Sequence, residues 1–140
     1  MIKKFGQATW RGGLKDGQGQ LSTETGALSD QPYSFATRFE GQRGTNPEEL
    51  IGAAHASCFA MAMSSELGKA GLTADSIEAK STVTLDPSKG AITQVHVEVV
   101  ARVPGADDAK FQEVAEATKT GCPVSKVLAA AEITMSARLA

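Results

Sequence analysis

The chain has 140 residues, 41% of them hydrophobic, and a formal net charge of -2. That length suits one domain burying on the order of 70% of its unfolded surface, and the scattered Lys and Arg supply no basic field for nucleic acid. No segment approaches the ~20 apolar residues that cross a bilayer and the opening MIKKFGQATWRGG lacks the apolar run of a signal peptide, so a soluble, cytoplasmic protein is expected.

Residues 1–45 are punctuated by glycines that separate short segments such as QLSTE and YSFATRFE, the pattern of an antiparallel strand meander. In YSFATRFE, strand alternation puts Tyr33, Phe35, Thr37 and Phe39 on one side and Arg38 on the other. TNPEEL starts a helix: Thr45 or Asn46 caps it, Pro47 takes the first helical position, and Glu48 and Glu49 favour the positive end of the dipole. This helix spans residues 46–71, with Gly68 and Gly71 as terminators. Its middle is nearly all Ala, Ile, Phe and Met, so it belongs at the centre of the fold, wrapped by strands or by another subunit.

Residues 76–140 carry strands and helices. SIEAKSTVTL and ITQVHVEVVARV alternate around the turn DPSKG, directing Ile77, Ala79, Val83 and Leu85, then Val95, Val97 and Val99, to a core; Ser81 interrupts the first stripe. DDAKFQEVAEATKT places Phe111, Val114, Ala115 and Thr118 at helical spacing, and Gly121 ends it. CPVSKVLAAA restarts a helix at Pro123, and EITMSARL closes the chain as a strand. The order βββ-α-ββ-αα-β predicts a single α+β domain with antiparallel pairing.

The chain has two cysteines and no CxxC motif, which excludes a thioredoxin-type motif and a zinc ribbon. Cys58 shares a helix face with Leu50, Ala54 and Met61; as a small core residue it is inert unless a cation lies beside it. Cys122, just before Pro123, occupies a helix N-cap, where backbone N–H groups favour a thiolate. The pair suits a disulfide that forms and breaks, and equally two unrelated buried thiols. Arg38 is either a solvated strand residue or a thiolate partner, and Glu49 either a dipole partner or a site residue. Glu49 and Cys58 are nine positions apart, about 180° of rotation and about 13 Å of rise, so one site can use both only through a second chain or a helix break. His55 sits one turn before Cys58 and His96 on a strand. A Cys58–His55 hydrolase dyad at i, i+3 is sterically possible, and a zinc site of both cysteines and both histidines would use plausible ligand types with no recognisable spacing.

The runs TRFEGQRGTNPEELIGAAHASCFAMAMS and GCPVSKVLAAAEITM, with the opening GQATWRGG, closely resemble the osmotically inducible protein C (OsmC) family, the OsmC branch of the OsmC/Ohr thiol peroxidases. The resemblance covers essentially the whole chain. It implies an intertwined homodimer with antiparallel sheets around long central helices and sites at the subunit interface. The implied activity is reduction of organic hydroperoxides, and of hydrogen peroxide less well, in oxidative and osmotic stress defence. Cys58 is then the peroxidatic nucleophile and Cys122 the resolving thiol, with Arg38 and Glu49 assisting the first. The related branch takes its arginine from an earlier point in the chain, but Arg11 in WRGG is set aside because TRFEG matches the OsmC pattern. No cofactor or metal is implied; the reductant is an external dithiol such as lipoamide. Phe35, Phe39, Ala54, Phe59, Met61 and Met63 are candidates to line an apolar pocket. The competing reading is a non-catalytic dimeric carrier of small hydrophobic molecules.

Overall fold

The computed structural model describes residues 1–140, which divide into the units Met1–Leu50 and Ile51–Ala140. In the first unit, β1 (Gly6–Arg11), β2 (Gln18–Thr23) and β3 (Gln31–Tyr33) form an antiparallel sheet in that order, as the glycine punctuation implies. Gly19 faces both Trp10 and Tyr33 in the ladder, and a Cβ there would stand 2.4 Å from the Tyr33 ring. Its bare backbone lets the two rings close over it at 5.6 Å between centroids.

The segment YSFATRFE, expected to be a strand of the meander, gives only Tyr33 to β3 and then forms helix α1 (Phe35–Phe39). Ser34 caps it: its hydroxyl accepts from the Thr37 N–H at 3.2 Å, while the Thr37 hydroxyl accepts from the Ser34 N–H at 2.9 Å. This reciprocal pair satisfies two otherwise orphaned donors and overrides the alternation of Tyr33, Phe35, Thr37 and Phe39. Arg38 therefore lies in the last turn of a short helix, not on a strand.

Helix α2 (Pro47–Lys69) begins where TNPEEL predicts, with the Asn46 carboxamide oxygen accepting from the Glu49 N–H at 2.9 Å. Gly68 lies inside the helix, and Gly71, at φ 74°, follows its end. Of its apolar middle, one stripe is buried: Gly52, His55, Phe59, Met63 and Leu67. Ala54 and Met61 are exposed, Met61 at 77%.

In the second unit, β4 (Ser76–Asp86) and β5 (Ala91–Arg102) form the expected antiparallel hairpin. The Asp86 carboxylate accepts from the N–H and hydroxyl of Ser88 at the turn. Helix α3 (Asp108–Gly121) is capped by Asp107 and buries Phe111, Val114, Ala115 and Thr118, the stripe its spacing indicates. Helix α4 (Pro123–Val127) is shorter than expected. β6 (Glu132–Leu139) pairs with β5 in parallel, contrary to the all-antiparallel expectation. The two-helix crossover over residues 103–131 returns the chain to the end where β5 began, and a connection of that length is what parallel neighbours require. Phe59, Met63, Leu67, Val97, Val99, Phe111, Ala115 and Cys122 form the core of this unit.

Candidate functional site

Cys58 is carried by α2, directly before the buried Phe59. Cys122 joins two helices, as C-cap of α3 and N-cap of α4: its N–H bonds the Thr118 carbonyl at 2.9 Å and its carbonyl accepts from the Lys126 N–H at 3.1 Å. At this junction Cys122 is fully buried, with its sulfur 3.1 Å from that of the half-buried Cys58. Both thiols are free. A disulfide, at about 2.05 Å between sulfurs, needs them to approach by only about 1 Å.

Either sulfur can donate across so short a gap; their surroundings decide where the proton rests. Burial pushes the Cys58 thiol up, and the hydrogen bond with Cys122 adds to it; the Val124 N–H opposes them without prevailing. At Cys122 burial also acts upward, but it is outweighed by the Ser125 N–H, the Cys58 thiol, the Ser125 hydroxyl and the Val124 N–H, and the net direction is down. The sulfur makes no regular cap hydrogen bond, so these N–H groups act on it electrostatically, as a helix N-terminus does. Within this unit Cys58 therefore holds a proton more tightly than Cys122 does.

His55, one turn before Cys58, does not form the hydrolase dyad. Its Nδ1 is 2.9 Å from the Ser81 hydroxyl and its Nε2 2.8 Å from that of Ser125, so both ring nitrogens are taken. Burial lowers its pKa. Ser81, the interruption in the apolar stripe of β4, is thereby explained. His96 hydrogen-bonds Thr134, and no three His, Cys, Asp or Glu side chains are gathered as the zinc alternative requires.

Arg38 and Glu49 belong to the first unit, Cys58 and Cys122 to the second. The Arg38 guanidinium is held by Glu48, with Nη2 2.8 Å from Oε1 and Nε 3.2 Å from both oxygens. Glu49, expected at that fork, is exposed, and only its N–H is engaged, by the helix cap. Successive helix residues are rotated by about 100°, and Glu48 is the one turned toward α1. Arg38 also lies 5.3 Å from the Phe39 ring centroid and borders a cavity of about 290 Å³ with Trp10, Leu14, Tyr33, Phe35 and Phe39. Of the residues expected to line an apolar pocket, Phe35 and Phe39 do so; Phe59 and Met63 are sealed in the core. Nothing local in the sequence links Trp10 and Leu14 to a helix more than twenty residues later. Arg11 borders a different cavity of about 630 Å³, with Arg43.

Two sulfurs within bridging reach on an α+β frame are equipped for dithiol–disulfide chemistry. Residues 39–137 match the family of OsmC-like proteins. The chain is 52% identical over 140 residues to Peroxiredoxin OsmC of Escherichia coli strain K12, spanning 99% of this chain and 97% of that protein. It is 32% identical over 121 residues to the organic hydroperoxide resistance protein OhrB of Bacillus subtilis strain 168, 86% of each. The crystal structure of an OsmC-like protein from Mycoplasma pneumoniae shares its fold with a TM-score of 0.74 at 12% identity, over 99% of this chain and 97% of that one. This chain belongs to the OsmC-like family.

Proposed function

We propose that the protein is a thiol-dependent peroxidase that reduces organic hydroperoxides through Cys58 and Cys122. The observation that carries this reading is the 3.1 Å separation of a half-buried and a fully buried thiol. The more accessible sulfur meets the peroxide, and the sealed one waits behind it. The Cys58 thiolate attacks the distal peroxide oxygen; the O–O bond breaks, an alcohol leaves with one proton, and Cys58 becomes a sulfenic acid. Cys122 attacks that sulfur, forming the disulfide and releasing water. An external dithiol such as lipoamide then returns both thiols and is itself oxidised. These steps need no flavin or metal, and free thiols fit a reducing, cytoplasmic setting.

The first step needs charge on Cys58, whereas its own unit leaves the proton there. A guanidinium reverses that preference. In this reading the protein is a homodimer, and a second copy supplies Arg38 and Glu49 at the subunit interface. Two features support it: the exposed Ala54 and Met61 on α2, and a second carboxylate, Glu49, left facing outward. The aromatic cavity beside Arg38 favours an alkyl or aryl hydroperoxide over the smaller, more polar hydrogen peroxide. Serine variants test the roles. Cys58→Ser should abolish turnover, while Cys122→Ser should consume about one peroxide per site and stall as a sulfenic acid. Full turnover by Cys58→Ser would reverse the assignment.

A further inference from the structure

Three polar groups take no part in the exchange above: the half-buried Ser81 on β4, and the buried His55 on α2 and Ser125 on α4. His55 is 0% exposed and Ser125 2%. They form a continuous row, with 2.9 Å from Ser81 Oγ to His55 Nδ1 and 2.8 Å from His55 Nε2 to Ser125 Oγ. Ser125 is the third residue of the helix that Cys122 caps, and its N–H and hydroxyl both favour the Cys122 thiolate. The row therefore ends in the helical turn that opens on a thiol.

Hydrogen-bond bookkeeping orients it. Burial keeps the imidazole neutral near pH 7, with one N–H and one lone pair. If Cys122 carries charge, its sulfur accepts the Ser125 O–H. The Ser125 oxygen then accepts from His55 Nε2–H, which leaves Nδ1 to accept from the Ser81 hydroxyl. All three groups are satisfied, and every donor points toward the sulfur, so each bond polarises the next. A histidine placed only to fill the core needs partners for its two nitrogens, but it has no need for one partner to continue to a cysteine.

We infer that His55 is a positioning residue for the Cys122 thiolate: it aims the Ser125 hydroxyl at the resolving sulfur, while Ser81 fixes its tautomer. The inference deepens the peroxidase reading and rests on it for the word resolving. In resolution, the Cys122 thiolate attacks the Cys58 sulfenic sulfur; the S–S bond forms, the S–O bond breaks, and the hydroxide leaves as water with the proton Cys122 had released. In reduction, the incoming dithiol attacks Cys58, and Cys122 departs as a thiolate into the waiting Ser125 O–H. A stabilised thiolate leaves faster. Cys58, facing it from α2, is the titratable neighbour that acts on Cys122; its other influences are the Val124 and Ser125 groups of α4.

The test titrates Cys122 alone, in a Cys58→Ser background, by the ultraviolet absorbance of the thiolate. Ser125→Ala and His55→Phe should each move the midpoint to higher pH. His55→Gln, whose amide N–H can still reach Ser125, should restore most of the difference. With both cysteines present, Ser125→Ala should slow loss of the second thiol after one equivalent of cumene hydroperoxide by about tenfold or more near neutral pH, the scale of one hydrogen bond to a charged group. An unmoved midpoint in Ser125→Ala overturns the inference, and this variant answers the question even if His55→Phe fails to fold. A moved midpoint in a protein without peroxidase activity would instead keep the inference and sink the proposed function.

Discussion

Gly52→Ala is a sharp test of how α2 and β4 are joined. Gly52 is buried on the stripe that also carries His55, and a Cβ built there lies 2.8 Å from the backbone carbonyl oxygen of Ser81. Ordinary contact begins near 3.4 Å, so helix and strand must part by about 0.6 Å. A backbone carbonyl in a sheet has little room to move aside. Carried to the next turn, that shift stretches the His55–Ser81 bond from 2.9 Å to about 3.5 Å, beyond useful hydrogen-bond length. Overpacking costs about 1–3 kcal/mol and the lost bond about 0.5–1.5 kcal/mol. Against these stands a gain of about 1 kcal/mol from replacing glycine within a helix. The net expectation is destabilisation by about 0.5–3.5 kcal/mol. Gly68→Ala is the matched control, since nothing lies within 4 Å of its Cβ position; it should stabilise by up to about 1 kcal/mol. Urea unfolding midpoints of both variants measure the difference. If Gly52→Ala stabilises as much as Gly68→Ala, the close approach of α2 to β4 is refuted, together with the placement of His55 that depends on it.

Other perturbations address the site. Arg38→Ala should shift alkylation of Cys58 to higher pH, because in the proposed function its guanidinium is set against the effect of burial there; Glu48→Gln should weaken the hold on the guanidinium and give a smaller shift in the same direction. An alkylation profile unchanged by Arg38→Ala would remove the guanidinium from the site. Stability should also depend on His55. Its folded pKa lies below the ordinary value, so the unfolded chain binds the proton more readily, and stability present above about pH 6.5 is lost as pH falls below it. His55→Gln should flatten that decline in unfolding midpoints between about pH 6.5 and 5, and an identical decline in the variant would contradict the assignment.

Much of the frame is legible because its signals are local. TNPEEL starts α2, DPSKG turns the hairpin, and the spacing of Phe111, Val114, Ala115 and Thr118 marks α3. The cysteine at the α3–α4 junction is likewise visible from the Pro that follows it. YSFATRFE misleads, since alternating aromatics read as a strand while the helix signal is a single pair, Ser34 and Thr37, three positions apart. The direction of β6 depends on where a two-helix crossover lands, which its own alternation does not encode. Glu48 and Glu49 are equivalent as first-turn acids, and only the rotation of α2 relative to α1 chooses between them. Ser81, His55 and Ser125 each look like a local exception in an apolar pattern. They explain one another only when residues 26 and 70 positions apart meet in space.

In the proposed function Cys58 and Cys122 act as one redox couple on a hydroperoxide. One equivalent of cumene hydroperoxide added to the reduced protein, followed by counting free thiols and weighing the intact chain, tests it most directly. Both thiols should disappear, the chain should become lighter by two hydrogens with no added oxygen, and one equivalent of alcohol should appear. Survival of both thiols with the peroxide unspent would contradict it.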